Sequence, residues 1–541
     1  MAFTAQVPQP AKTYDAIVVG AGISGMYMLY RLREQGLRVK VLEAGTSVGG
    51  TWYWNRYPGA RVDSQAYVYQ YWFSDELLDE WSWPERFPDQ TVMEKYLNHV
   101  ADRFDLRENI QFNTRVKAAR YDEKSGRWTI TTMMGEVFDT QYAAFCTGGI
   151  SAPLVPSFPG HEKFRGQIIH TARWPKEEVD FSGLRVGIVG TGATGIQVIQ
   201  TVGPQCAHLT VFQRTPNYAV PMRNPKYGPG DMQAFRERYG DLKKRVHRTF
   251  AGFDYDFQDK TFRQTDPEER EAILERLWAD GSLAMWIGGF SDLFTDAEVN
   301  EEISKFVRGK IRERIRDPKV ADKLVPTTYG FGTRRVPLET QYYETFNRDN
   351  VELVDISDEK IEAITANGVR TSKQEYPLDL LIFATGFDAG TGALSAIDVR
   401  GRDNISLKES WKQGIRTTMG LSVHGYPNLF TTMAPFAPAA AFCNVPTCLQ
   451  QQVDWISDCI QHSRSKGAMR VEPTRDMEDR WIAHHDEVAN MTLITKTRSW
   501  YMGSNVEGKP PRLLSYMGGV GAYRQQCEDV KASGYEGFSM S

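Results

Sequence analysis

Two stretches of this chain share one form, and they restrict the possible folds more than any other feature. Tyr14 to Gly20 (YDAIVVG) is a short run rich in Ile and Val, the pattern of a strand buried in a parallel sheet. Gly20-Ala21-Gly22-Ile23-Ser24-Gly25 follows at once, then a helical run to Gly36, then a second strand, Arg38 to Leu42, closed by Glu43. Leu184 to Gly190 (LRVGIVG) starts the pattern again with Gly190-Thr191-Gly192-Ala193-Thr194-Gly195, the helical run IQVIQTV and a strand from His208 to Phe212. Glycines let the main chain turn tightly and approach a pyrophosphate, and the helix N-terminus presents free N–H groups and a positive dipole end to it. A lone Gly-x-Gly-x-x-Gly is weak evidence, but strand, turn, helix and strand in this order is strong. Two copies predict an α/β chain with two Rossmann-like dinucleotide-binding domains.

The residues that close the two units differ. Glu43 has the position and chemistry to accept hydrogen bonds from a ribose 2′-hydroxyl. The second unit has Gln213-Arg214-Thr215 in place of an acid. A carboxylate would repel a 2′-phosphate, whereas a guanidinium pairs with it bidentately. The first site is therefore read as an FAD site and the second as an NADPH site. At a random position Arg214 would be an ordinary surface charge, but at this register it reads the phosphate.

Between the two units lies Phe164 to Pro175, FRGQIIHTARWP, with the form Phe-x-Gly-x-x-x-His-x-x-x-Trp-Pro. Taken singly, His170 could cap a turn and Trp174 fill a local gap. The placement of Phe164, Gly166, His170, Trp174 and Pro175 together suggests a linker coupling two nucleotide domains. Gly49 to Asp63 reads GGTWYWNRYPGARVD, a Gly-Gly turn followed by Tyr-Pro-Gly-x-x-x-Asp. Leu77 to Phe104 looks helical, and Gln111 to Thr132 looks like a small antiparallel layer broken at Lys124-Ser125-Gly126. Tyr142 to Gly149 is an apolar strand leading out of the first domain. From about Asp231 to Asp322 charge is dense and no β-type run occurs, which predicts an inserted helical segment. Its stripe Ile303, Phe306, Val307, Lys310, Ile311, Ile315 stops at Asp317-Pro318. Pro326 to Pro337 (PTTYGFGTRRVP) is a loop, and by itself its Arg334-Arg335 reads as a solvated pair. Asn350 to Ile356 and Gly368 to Arg370 read as strands closing the second domain. Leu378 to Asp388 leads back to the first, completed by Asn428 to Pro438 and a helix from about Thr447 to Ser463. The division expected is 1–150 and 381–541 for the FAD domain, 151–230 and 326–380 for the linker and NADP domain, and 231–325 for the insertion.

The linker and the Gly-Gly-x-Trp…Tyr-Pro-Gly-x-x-x-Asp stretch resemble the two fingerprints of the type I flavin-dependent Baeyer–Villiger monooxygenases, of the phenylacetone and cyclohexanone monooxygenase kind. The resemblance covers nearly the whole chain, from Gly20 to the late loop Arg498 to Pro511. It implies that NADPH reduces FAD, that O2 adds to give a C4a-peroxyflavin, and that this attacks a ketone through a Criegee adduct to give an ester or lactone, with sulfoxidation as a side reaction. It implies that Arg335 is the active-site arginine, stabilising peroxide and oxyanion, and that Asp63 orients it. Arg214, Thr215 and Arg334 match positions holding the 2′-phosphate, and Trp500 a tryptophan closing over the nicotinamide side. Gly50, Thr51, Trp52, Tyr57 and Asp63 of the first fingerprint, with Thr191, Thr194 and Gln197 of the second glycine motif, join the cofactor-binding set. His170 is implied to be a coupling residue and not a general base. Three places depart from the family: Arg334 stands where lysine is usual, Ala434-Pro435 stands for Gly-Pro, and Ala439 to Pro446, the segment matching the ketone-pocket loop, differs, so substrate scope does not transfer. An alanine at 434 requires negative φ.

Composition bounds the rest. With 541 residues the chain needs more than one core. A net charge of −4 gives no field for nucleic acid or anionic membrane. No apolar run is long enough to span a bilayer, and MAFTAQVPQPAKTYD lacks a secretion signal. Six scattered cysteines show no metal spacing and suit a reduced, cytoplasmic protein. A monomer or dimer acting on a small ketone and O2 is expected. The main alternative is a heteroatom-oxidising flavin-containing monooxygenase, which shares the motifs up to His170; Trp174-Pro175 and the Asp63/Arg335 pair count against it. A disulfide reductase lacks its cysteine pair near the flavin, and a non-catalytic redox sensor would not need Arg335 and Asp63.

Overall fold

The computed structural model describes residues 11–439 and 442–541. Most of the N-terminal segment and residues 440 and 441 of the expected pocket loop lie outside the described residues.

Strand β1 (Lys12–Val19), helix α1 (Ile23–Glu34) and strand β2 (Val39–Leu42) form the first unit as expected. Ala16, Ile17 and Val18 are fully buried, because a parallel strand covered on both faces needs apolar residues at consecutive positions. The sheet continues through β3 (Ile110–Gln111), β4 (Val116–Asp122), β5 (Arg127–Thr132) and β6 (Val137–Phe145). Strand β6 lies parallel to β1, while β5 runs antiparallel to both of its neighbours, β4 and β6. The expected small antiparallel layer is present and extends the main sheet. It joins there because β6 is long enough to pair with β1 along one edge and with β5 along the other.

The second sheet is wholly parallel. Strands β7 (Gln167–His170), β8 (Arg185–Val189), β9 (His208–Gln213), β10 (Val351–Asp355) and β11 (Leu380–Phe383) stand in the order β10-β9-β8-β11-β7. Helix α2 (Ala193–Val202) follows the second glycine turn. The chain then returns to the first sheet, where β12 (Leu429–Thr431) pairs with β6, and helix α3 (Val445–Ser465) packs on α1. The first sheet is therefore drawn from both ends of the chain.

Three expectations need correction. Leu77 to Phe104 is two helices, Asp75–Glu80 and Gln90–Arg103, separated by a segment containing Pro84 and Pro88 that cannot continue a helix. Gly368–Thr371 belongs to a separate three-stranded antiparallel sheet and does not close the nucleotide sheet. The helix carrying the Ile303 stripe, Ala297–Arg312, ends before Asp317, which instead caps a new helix, Pro318–Leu324, by accepting the Lys319 N–H at 2.8 Å. The insertion is helical as expected, with Pro229–Val246 and Pro267–Asp280 as its other long members.

The two glycine turns are built alike. Gly20 has φ +102° and Gly190 φ +111°, conformations that side chains resist. A Cβ at Gly20 would lie 2.6 Å from the Cys146 carbonyl oxygen, and one at Gly190 2.5 Å from that of Ala384. In each unit the neighbouring strand's end closes on the turn, which is the close packing this motif requires.

Candidate active site

Helices α1 and α2 begin at Gly22 and Gly192 without any side-chain cap and without an acid in the first turn. Elsewhere Ser74, Asp89, Asp296 and Thr474 cap their helices with side-chain oxygens. The two nucleotide helices thus keep N–H groups for an anionic ligand. Glu43 is buried and braces the first turn: its carboxylate accepts the Ala21 N–H at 2.7 Å and the Gly45 N–H at 2.6 Å. Burial raises its pKa, with these hydrogen bonds working against the shift. Gly50 packs on the turn so closely that a Cβ there would lie 2.9 Å from the Gly22 Cα. Thr51 is exposed, while Trp52 turns inward and donates from Nε1 to the Tyr69 hydroxyl at 3.3 Å.

On the second unit Thr191 Oγ1 donates to the Thr215 carbonyl at 3.1 Å, tying the glycine turn to the segment after β9. Gln213 is buried, with its amide donating to the Lys323 carbonyl at 2.7 Å, and Arg214 is exposed. The Arg334 guanidinium lies over the Tyr329 ring at 4.1 Å, and its buried Nε has no hydrogen-bond partner among the described residues. Burial lowers its pKa, Tyr329 opposes this and the Arg214 charge adds to it. Two guanidiniums this close, with an orphaned buried N–H, suit a phosphate between them. The residues present therefore fit the expected nucleotide.

The Tyr57-Pro58-Gly59 turn joins the two units. The Tyr57 hydroxyl donates to Gln197 Oε1 at 2.9 Å, and Gln197 Nε2 donates to the Arg61 carbonyl at 3.2 Å. Thr194 also reaches the Tyr57 hydroxyl. Gly59 has φ +82°, and a Cβ there would fall 2.3 Å from Thr201 Oγ1 on α2. Tyr57 and Gln197 thus dock the first unit's loop on the second unit's helix, and the same loop carries Asp63 to its position.

Asp63 forms an ion pair with Arg335, 272 residues away in the chain. Burial works against the Arg335 charge, but Asp63 offsets it and the guanidinium pKa is raised. The Trp286 ring lies 5.4 Å from this guanidinium, and Trp286 Nε1 donates to the Gly332 carbonyl at 3.1 Å, pinning the arginine loop. Phe442 sits 5.1 Å from Trp286 and 5.2 Å from Tyr501, ring to ring. Trp500 is half-buried beside Tyr501, at 4.3 Å. Sequence reading missed Trp286 and Tyr501. No periodicity marked Trp286, and only adjacency to Trp500 pointed to Tyr501.

The linker acts as a tie. His170 Nδ1 accepts the Ala172 N–H at 3.1 Å, so Nε2 carries the proton and faces the Leu154 carbonyl and Thr385 Oγ1, each at 3.2 Å. Burial lowers the pKa of this ring, which stays neutral. A Cβ at Gly166 would meet the Asp379 carbonyl oxygen at 2.2 Å, and Phe164 packs on the second sheet's cluster. Trp174 is buried near Phe181, and Pro175 ends the segment. Ala434 has no positive φ; the left-handed residues there are Met433 and Phe436, the latter held between His485 at 4.2 Å and the Arg512 guanidinium at 4.6 Å. No group of metal-ligating residues occurs among the described residues.

The two glycine cradles, the docking loop and the half-buried ion pair define a class of two-nucleotide flavoprotein, and residues 13–252 match the flavin-binding monooxygenase-like family. The chain is 53% identical to the acetone monooxygenase (methyl acetate-forming) of Gordonia sp. (strain TY-5), over 98% of this chain and 99% of that protein. It is 40% identical to a Baeyer–Villiger monooxygenase of Pseudooceanicola batsensis, over 96% of this chain and 95% of the relative. Its fold matches the crystal structure of OTEMO in complex with FAD and NADP with a TM-score of 0.94 at 40% identity, covering 98% of this chain and 99% of that one. The chain belongs to the Baeyer–Villiger monooxygenases, within the flavin-binding monooxygenase-like family.

Proposed function

We propose that this protein is an FAD-containing, NADPH- and O2-dependent monooxygenase that inserts one oxygen atom beside the carbonyl of a ketone, giving an ester or lactone. The observation that carries this reading is the half-buried Asp63–Arg335 pair, assembled from two distant loops at the junction of the nucleotide units. FAD would lie on the turn from Gly20 to Gly25, against Glu43, Gly50 and Thr51, with Trp52 shaping that loop from behind. NADPH would lie on Gly190 to Gly195, with Arg214, Thr215 and Arg334 around its 2′-phosphate and Trp500 on the nicotinamide side. Bound FAD, once reduced by NADPH, supplies the activation of O2.

The chain's own residues do the rest. Arg335 stabilises the negative charge that develops on the oxygen atoms of the reacting centre, beside the rings of Trp286 and Tyr501. Asp63 holds the guanidinium in one orientation and limits its excess charge. Tyr57, Thr194 and Gln197 keep the two units in register so that Asp63 and Arg335 meet. The His170 tie couples the connecting segments. A thioether, which needs no oxyanion stabilisation at a carbonyl, would be a side substrate.

The division of the chain at 1–150, 151–230, 231–325, 326–380 and 381–541, a monomeric or dimeric state and a cytoplasmic location are part of the same proposal. Six free, buried cysteines support a reducing compartment, and no described helix is long and apolar enough to cross a membrane. The test is oxygenation of linear, cyclic and aryl ketones, scored by product mass, with Arg335→Ala in parallel. Wild-type protein that consumes NADPH and O2 but never forms an ester with any ketone would refute the reading.

A further inference from the structure

Among the buried phenols around Asp63 and Arg335, Tyr501 has an O–H with no assigned acceptor. Tyr57 is bonded to Gln197 and Tyr69 to Trp52. The Tyr501 hydroxyl, on a residue 1% exposed, turns its oxygen to the Arg335 guanidinium, and its O–H finds no acceptor among the described residues. A buried O–H left without an acceptor is costly, so such a group calls for a reason.

Its surroundings supply one. The largest charge influence on Tyr501 is Arg335, followed by Asp63, which puts the phenol at the proposed reacting centre. Tyr255, a second buried phenol without a partner, answers first to Asp254 and Tyr67 instead. The Tyr501 ring is fixed between Phe442 and Trp500, so its hydroxyl is held in place by packing. Burial raises the Tyr501 pKa, with the Arg335 charge working against the shift, so the phenol keeps its proton and can donate it in a hydrogen bond.

We propose that Tyr501 is a further catalytic residue, whose O–H donates a hydrogen bond to the substrate's carbonyl oxygen beside the Arg335 guanidinium. The phenol transfers no proton; it supplies a second, neutral donor to the oxygen on which negative charge develops. Its target is a carbonyl, so its effect is confined to ketones. This rests on the assignment of Arg335 above.

Tyr501→Phe tests it, because the ring and its packing survive and only the hydroxyl is lost. Purified holoenzyme is compared for melting temperature, anaerobic flavin reduction by NADPH, and kcat/KM with a ketone and with a thioether. The expected result is an unchanged melting temperature and reduction rate, with ketone kcat/KM lower by about 10²-fold, as for loss of one preorganised donor, and thioether oxidation within a few-fold of wild type. Ketone turnover at the wild-type level overturns the proposal. So does an equal fall with both substrates, which would mark a packing role. Arg335→Ala, run alongside, separates the two readings: if it forms ester normally, the Arg335 assignment fails, whereas a normal Tyr501→Phe beside an inactive Arg335→Ala refutes Tyr501 alone.

Discussion

Arg334 and Arg335 are neighbours in sequence with separate surroundings, because consecutive loop residues project in different directions. Arg334 lies on Tyr329 within the field of Arg214, while Arg335 pairs with Asp63 beside Trp286. Replacing each with alanine should separate their effects. Arg335→Ala should retain FAD and its fold but lose ester formation by about 10²–10³-fold or more, read as ester yield per NADPH consumed. Arg334→Ala should raise KM for NADPH while ester formation at saturating cofactor survives. Asp63→Ala should be a milder form of Arg335→Ala, since the guanidinium remains but loses its orienting partner. For Arg214→Ala the expected cost is on the order of 1.5–3 kcal/mol in NADPH binding, the range for a hydrogen bond to a charged group, with little change for NADH. Equal losses with the two cofactors would contradict a phosphate-reading role.

At the scale of elements, the Tyr57-to-Asp63 loop transmits the position of one nucleotide unit to the other. Gly59 is the point at which it touches α2, and its left-handed φ leaves no room for a side chain. Gly59→Ala should therefore lift the loop from α2 and misplace Asp63. The backbone strain alone should cost about 1–2 kcal/mol, seen as a lower melting temperature. Ester yield per NADPH should fall further than stability does, because the ion pair needs exact registry between the units. A variant with full ester yield would show that the contact is not needed to position Asp63.

The whole molecule is closed by chain segments that return to the first sheet, and His485 sits in that returning part. Its Nε2 donates to the Leu513 carbonyl at 2.9 Å and its ring lies on Phe436. Burial lowers its pKa to about 4. The unfolded chain, with an ordinary histidine near 6.5, binds this proton more readily than the native one. Stability is thus full above pH about 6.5 and falls as the pH drops toward about 4, by up to roughly 3 kcal/mol for this group. Denaturant midpoints at pH 7 and pH 5 should differ less in His485→Gln than in wild type; an unchanged difference would exclude this histidine as a source of acid sensitivity.

Features that rest on short stretches of backbone were legible in the sequence. The two strand–glycine–helix units, the acid or arginine closing each and the helical insertion follow from local turn geometry and periodicity, while the linker was legible through its motif resemblance and its place between the two glycine turns. Asp63 and Arg335 could be named from motif resemblance, but their meeting is a product of tertiary structure, since nothing in either loop specifies a partner 272 residues away. The aromatic shell of Trp286, Phe442 and Tyr501 was hidden for the same reason: its members come from three distant segments, and apolar side chains carry no directional signal until packing brings them together. The joining of the antiparallel strands to the main sheet through β6, and the placement of Gly368–Thr371 in a separate sheet, were likewise decided by which strand edges the folded chain left free, and edge pairing is a property of neighbours in space and not in sequence.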